Sequence, residues 1–376
     1  MKKIGVLGAG AMGAGIAQVA AQAGHPVILV DLQEEAIAKG LQGIELSLSK
    51  AVEKGKMSED DKKQITDCIQ TSTSIESFSD CDLIIEAIIE KLEIKQSVFK
   101  QLDQLVHANC ILASNTSSLS ITSIASVCNH PERVFGIHFF NPAPLMPLVE
   151  IIPATQSNGA LAEELKRLML DWKKVPVIAK DWPGFIVNRV ARPYYSEALR
   201  IFDEGLASQP EIDHAMKALG FKMGPFELMD LIGHDVNYAV TESVFTAFYF
   251  DPRFKPSLTQ KKLVEAGWFG RKSGRGFYEY PAGCPSVNLD NEKATIIQNR
   301  ILAMLINEAC DSHYCGLASE EDLDLAMTKG VNYPKGLMAW GSEIGFRQVG
   351  QWMQNLMDTY QDDRYRMSVG LKKRMS

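Results

Sequence analysis

The sequence predicts an α/β domain with a parallel sheet, followed by two all-α helical repeats. Three observations predict it. A short apolar run, Lys3-Ile-Gly-Val-Leu7, leads into the glycine cluster Gly8-Ala-Gly10-Ala-Met-Gly13 and then a stretch of small residues. More short apolar runs alternate with charged, helix-patterned segments over the first half of the chain. In the second half, a set of residues recurs at a constant offset of 111 over most of its length. The 376 residues suit two or three domains.

Composition narrows the function classes. Hydrophobic residues make up 46% and charged residues 23%, as in an ordinary globular chain, which excludes a disordered one. Lys plus Arg total 39 against 46 Asp plus Glu, a formal charge of −7. No overall basic excess draws the chain to nucleic acid or an anionic membrane, so an acidic ligand needs a local basic patch. The seven cysteines are irregularly spaced, and Cys310 and Cys315 have no second pair to complete a zinc site. Reduced, partly buried thiols, no metal and a cytoplasmic location are expected. Lys2 and Lys3 before an apolar run imitate a signal peptide, but the run is too Gly-rich and interrupted to span a bilayer.

Lys3–Leu7 reads as a buried parallel strand. The cluster after it fits G-x-G-x-x-G: Gly8 permits the tight turn, Gly10 lets a pyrophosphate approach the backbone, and Gly13 lets helix and strand pack closely. Ala14–Gly24 reads as the helix whose N-terminus receives the phosphate charge. Pro26-Val-Ile-Leu-Val30 is the next strand, closed by Asp31, whose carboxylate can accept from ribose hydroxyls. Strand, glycines, helix and acid together read as a Rossmann-type dinucleotide site. Leu32 and Gln33 follow the acid with no Arg for a 2′-phosphate, so NAD is expected over NADP.

Glu34–Gln70 is charged and helical in pattern, broken near Gly55-Lys-Met-Ser58, where Ser58 and Asp61 look like a cap. A helical hairpin inserted in the nucleotide fold is expected. Lys50, Lys54 and Lys56 read either as a site for a phosphorylated ligand or as a solvated face. Cys81–Ala87 and Ile111–Asn115 are further buried strands. Ligands of open α/β sheets lie at the carboxyl ends of strands, which makes Glu86, Glu90, Ser114, Asn115 and Ser117 candidates. Arg133–Pro142 is a strand carrying His138 among apolar residues, and Leu148–Ile152 follows with Glu150. A lone buried histidine is usually structural; one beside a carboxylate is oriented as a general base.

Ser114-Asn-Thr-Ser-Ser-Leu119, His138-Phe-Phe-Asn-Pro142, Pro183-Gly-Phe-Ile-Val-Asn-Arg189, Met223-Gly-Pro-Phe-Glu-Leu228 and Phe269-Gly-Arg-Lys-Ser-Gly-Arg-Gly-Phe-Tyr278 occur in order. With the glycine motif, they resemble the L-3-hydroxyacyl-CoA dehydrogenase family, which includes 3-hydroxybutyryl-CoA dehydrogenases. The resemblance implies an NAD-dependent oxidoreductase of fatty acid metabolism acting on a short L-3-hydroxyacyl-CoA. It implies that His138 is the base, Glu150 its orienting acid, Ser117 a contact to substrate and cofactor, and Asn188 a holder of the reacting group. It implies cofactor contacts at Asp31, Glu90, Lys95, Asn115, Asn141 and Lys272, and coenzyme A contacts at Ser47 and Lys54. A dehydrogenase of a free 3-hydroxy (sugar) acid, of the kind related to a lens crystallin, is the alternative; a non-catalytic crystallin-like protein is a third reading.

The repeat completes the organisation. Asn188-Arg189, Glu197-Ala198, Gly205-Leu-Ala-Ser208, Asp213 and Ala215-Met216 recur as Asn299-Arg300, Glu308-Ala309, Gly316-Leu-Ala-Ser319, Asp324 and Ala326-Met327. Domains are expected at 1–182, 183–282 and 288–376, with Pro281–Val287 as linker. The copies are expected to pack about a pseudo-twofold, the second in the place a dimer partner would take, with a homodimer still open. Asn299 has no His138-like companion and reads as a helix-start residue.

Overall fold

The structure, a computed structural model, describes residues 2–376. The chain divides into two compact units, the first ending at Trp182 and the second spanning Pro183–Ser376.

In the first unit, β1 (Ile4–Leu7), β2 (Val27–Val30), β3 (Ile69–Ser72), β4 (Leu83–Glu86), β5 (Ile111–Ser114), β6 (Val134–Phe139), β7 (Leu148–Pro153) and β8 (Val175–Ile178) form one sheet. Their order is β3-β2-β1-β4-β5-β6-β7-β8. The strands from β3 to β6 are parallel, β7 runs antiparallel to β6, and β8 runs parallel to β7. The parallel strands β1, β2, β4, β5 and β6 are buried throughout, which is why they are written as continuous apolar runs. Connections leave β1 toward β2 on one side and return to β4 on the other, so the β1/β4 crevice is the switch point where ligands bind such sheets.

Two strands depart from the sequence reading. Gln70, expected at the end of the helical hairpin, lies in β3. This edge strand is four residues long and only half-buried, so its Ile-Gln-Thr-Ser carries no apolar run to announce it. β8, Val175-Pro-Val-Ile178, holds a proline, which an edge position tolerates. The hairpin itself is the pair of helices Glu34–Glu53 and Glu59–Asp67, broken at Gly55 with φ +65°. Ser58 and Asp61 cap the second arm reciprocally, side chain to backbone each way.

The second unit is helical, and its two halves retrace each other. Arg192–Asp203, Gln209–Ala218, Pro225–Ile232, His234–Ala247 and Leu258–Glu265 correspond to Asn291–Tyr314, Glu320–Gly330, Leu337–Ile344, Phe346–Tyr360 and Val369–Met375. Asp213 accepts the Phe226 and Glu227 N–H groups at a helix start, and Asp324 does the same for Met338 and Ala339. The halves meet through exchanged ion pairs: Arg189 Nε donates to Glu308 (2.6 Å), and Arg300 Nε donates to Glu197 (2.5 Å). Moving Arg189 forward and Glu308 back by 111 residues gives the second pair, the signature of an approximate twofold. Each of these four side chains is buried, where an unpaired charge is strongly unfavourable.

Candidate active site

The glycine loop follows β1. A side chain at Gly8 (φ +102°) would press on the Ala87 carbonyl at 2.7 Å, and a Cβ at Gly13 would lie 1.8 Å from the Gly8 carbonyl. Glycine is therefore obligatory where the helix Ala11–Gln22 sits down on the loop. In front of Gly10 there is open space, and the helix start has no side-chain cap. Its N–H groups and dipole remain for an anion. Asp31 closes β2 with Oδ2 accepting the Ala9 N–H (2.8 Å) and Oδ1 the Gln33 N–H (3.1 Å), which fixes the carboxylate beside the loop. Clearance at Gly10, uncapped donors and an anchored acid fit a dinucleotide.

The ends of β4 and β5 carry a buried polar network. Lys95 donates to Glu86 (2.6 Å) and pairs with Glu90 at 3.2 Å, and its side chain is 1% exposed. Ser114 donates to the second Glu86 oxygen (2.6 Å). Glu90 then gathers the Thr116 hydroxyl, the Ser117 N–H and the Ser118 hydroxyl. Burial works against its charge, but the Thr116 hydroxyl and Lys95 hold its carboxyl below the usual range. Lys95 thus acts on the site from inside, by fixing Glu90. The Asn115 side chain accepts the Phe139 N–H (2.8 Å), tying the end of β5 to the residue after His138.

His138 and Glu150 stand directly opposite each other in the antiparallel β6/β7 pair. Nδ1 lies 2.7 Å from Glu150 Oε2, with the acid fully buried and the imidazole 7% exposed. The Phe140 ring packs on the imidazole at 4.5 Å between centroids. The carboxylate holds one ring nitrogen and so orients the imidazole. The connection after β6 carries Asn141 and is pinned by Lys174, which donates to the Ala143 and Met146 carbonyls (2.5 and 2.9 Å). Burial lowers the Lys174 ammonium to about 8.

On the hairpin, Ser47 lies in the helix Glu34–Glu53 and Lys54 caps it, two turns apart and so on one face. A cavity of about 510 Å³ runs from Gly10 past Asn141 to Lys39 and Ser47. Lys54 and Lys56 are exposed beyond it. In the second unit, Asn188 lies in the short helix Val187–Val190. Lys272 pairs with Asp235 at 2.6 Å on a loop hung from buried Asp230, which accepts the Phe277 and Tyr278 N–H groups and the Tyr280 hydroxyl.

Three contributors were not singled out from the sequence. Lys39 precedes Ser47 by eight residues on the same helix face, a spacing that was there to be read. Thr116 stood inside a quoted motif but bore no charge to flag it. Asp230 holds the loop through backbone groups 47 and 48 residues away and a tyrosine hydroxyl 50 away, which no local pattern reveals.

Among the described residues no group of His, Cys, Asp and Glu is placed to hold a metal ion, and no helix is long and apolar enough to cross a membrane. Residues 3–182 match the 3-hydroxyacyl-CoA dehydrogenase NAD-binding domain, and the C-terminal domain of that family matches twice, at 184–280 and 296–376. The 3-hydroxyadipyl-CoA dehydrogenase of Escherichia coli K12 is 37% identical, covering 100% of this chain and 97% of its own. The mitochondrial hydroxyacyl-coenzyme A dehydrogenase of Sus scrofa is 44% identical over 74% of this chain and 91% of its own. A crystal structure of 3-hydroxybutyryl-CoA dehydrogenase from Escherichia coli K12 superposes with a TM-score of 0.95 at 37% identity, covering 100% of this chain and 98% of that one. The glycine loop, the anchored acid and the two helical copies are thus those of a known group: the chain belongs to the NAD-binding 3-hydroxyacyl-CoA dehydrogenase family.

Proposed function

We propose that the protein interconverts a short-chain L-3-hydroxyacyl-CoA and its 3-ketoacyl-CoA, with NAD as the redox partner. The observation that carries this reading is the His138–Glu150 pair at the same sheet edge as the glycine loop and Asp31. Glu150 accepts from Nδ1, which leaves Nε2 to take the proton of the 3-hydroxyl. The charge that forms on the imidazole is balanced by the buried carboxylate. In the opposite direction the same nitrogen returns the proton. Bound NAD supplies the acceptor for the hydrogen leaving C3. The protein supplies alignment, and the family resemblance assigns Ser117 and Asn188 to the reacting group and Glu90, Asn115, Asn141 and Lys272 to the cofactor. Lys95 holds Glu90 from within.

Ser47 and Lys54 on one face of the hairpin, with Lys39 in the cavity beside Gly10, favour a coenzyme A ester over a free acid. 3-Hydroxybutyryl is the shortest straight chain with a stereocentre at C3, and the relative named for 3-hydroxyadipyl-CoA brings a six-carbon chain into the same range. We also propose that the second helical copy takes the place of a dimer partner, a reading supported by the exchanged Arg189–Glu308 and Arg300–Glu197 pairs.

The test is NADH oxidation with acetoacetyl-CoA, longer ketoacyl-CoAs and a free ketoacid. Turnover of the CoA esters is expected, and activity confined to the free acid would reverse the substrate assignment. His138→Ala should lower turnover by about 10²–10⁴-fold while NADH affinity, read by fluorescence titration, stays near that of the parent.

A further inference from the structure

The helix Ala11–Gln22 buries a carboxamide that no other group of the chain answers. Gln18 is 3% exposed, and its side chain forms no hydrogen bond among the described residues. Gln260, at 1% exposed, shows how such a group is treated elsewhere. Its amide nitrogen donates to Asn237 Oδ1 (3.0 Å) and meets His234 Nδ1 and Met229 Sδ at 3.3 Å. An unpaired carboxamide held away from water is unfavourable. Gln18 is not sealed in, as the Trp172 indole N–H is, because it lines the cavity of about 510 Å³ that begins at Gly10.

The shape of that cavity follows from residue spacing. Ala14, Gly15 and Gln18 share one face of their helix, and Gly43 and Ser47 share the facing side of the helix Glu34–Glu53. The connection after β6 crosses at Gly15, where a Cβ would come within 3.2 Å of Ala143 and Pro144. A Cβ at Gly43 would meet no atom within 4 Å, so this position faces open space. Small side chains thus leave a narrow slot, and Gln18 is the buried polar side chain along it. Lys39, the cation of the cavity, is exposed. A phosphate would seek that cation or the helix start at Gly10, and a hydrocarbon tail would leave the carboxamide unpaired. A slender, uncharged chain that carries amides suits the slot. In an acyl-CoA that chain is the pantetheine arm, whose secondary amides each offer one donor and one acceptor to the donor and acceptor of a glutamine.

We propose that Gln18 is a substrate-binding residue that pairs with an amide of the pantetheine arm of coenzyme A, lying in the slot between the two helices. The proposal rests on the acyl-CoA reading above and deepens it, adding a neutral contact to those expected at Ser47 and Lys54. Gly43 contributes by lacking a side chain, which keeps the slot open.

The experiment follows NADH oxidation with acetoacetyl-CoA, with acetoacetyl-pantetheine, which lacks the phosphates, and with the S-ethyl thioester of acetoacetate, which has the same reacting carbons and no amide. The parent is expected to reduce the pantetheine ester with a higher kcat/KM than the ethyl thioester. Gln18→Met, of similar length and apolar, should lower the ratio of these two values by about 10–100-fold, chiefly through the KM of the pantetheine ester. Gly43→Leu, which fills the slot without touching Gln18, should lower the same ratio. Equal use of the two thioesters by the parent, or an unchanged ratio in both variants, would overturn the pantetheine slot while leaving the coenzyme A assignment standing on acetoacetyl-CoA turnover. Weaker NADH binding by fluorescence titration with the ratio unchanged would give the slot to the cofactor and likewise overturn it. Activity confined to free acetoacetate would overturn both readings.

Discussion

The two helical copies share a frame and differ in what is added to it. Both keep the inward arginine and glutamate, Arg189 with Glu197 and Arg300 with Glu308. Both keep the aspartate that caps a helix start, Asp213 and Asp324, and a positive-φ glycine between helices, Gly233 (φ +98°) and Gly345 (φ +90°). They differ where the first copy has Asp230, from which the loop carrying Lys272 hangs, and the second has Ser342 at the matching place of its helix. The shared ion pairs and caps build the fold, and the unshared loop belongs to the proposed chemistry.

The comparison breaks most visibly if the second copy is removed. A chain ending at Tyr280 loses Asn291–Tyr314 and uncovers Arg189 and Tyr194, which are 1% and 0% exposed in the whole protein. Such a chain is expected to associate with itself, measured by light scattering after size exclusion, because the same surface is self-complementary about a twofold. A well-folded monomer would deny the pseudo-dimer. Next in size, Asn188→Ala should cost about 10²-fold in kcat, as for a donor that meets the reacting oxygen. Asn299→Ala, its counterpart, should keep kcat near the parent value. Similar losses in both variants would mean that the position serves helix structure in each copy.

The smallest effect sharpens the seam between copies. Glu211 closes the capping box of Ser208 in the first copy and pairs with Lys293 of the second at 2.7 Å. Lys293 and the Ser208 N–H lower its carboxyl to about 2 from an ordinary 4.5. The stabilisation is therefore complete above about pH 4.5 and is lost as pH falls through 2. Glu211→Gln should cost about 1 kcal/mol at pH 7 by urea denaturation, with the gap to the parent closing in acid. A gap that persists at low pH would show that charge is not its source.

Much of this was legible in the chain itself, for physical reasons. Buried parallel strands must be apolar on both faces, so β1, β2, β4, β5 and β6 announced themselves. The half-exposed β3 and the proline-bearing edge β8 had no such requirement. His138 and Glu150 are twelve residues apart across one turn, near enough for pairing to be considered. Asn188 and Lys272 were marked only by family resemblance, since neither sits in a pattern that periodicity or charge would single out.

Joining the copies in one chain also frees them from being alike. Phe221 and Tyr333 hold matching places near the pseudo-axis and meet edge to face, with centroids 4.9 Å apart. In a pair of identical subunits both rings would have to be the same. A fused chain keeps a hydrocarbon ring on one side while placing a hydroxyl on the other, so duplication within one chain permits asymmetry at a contact on the pseudo-axis.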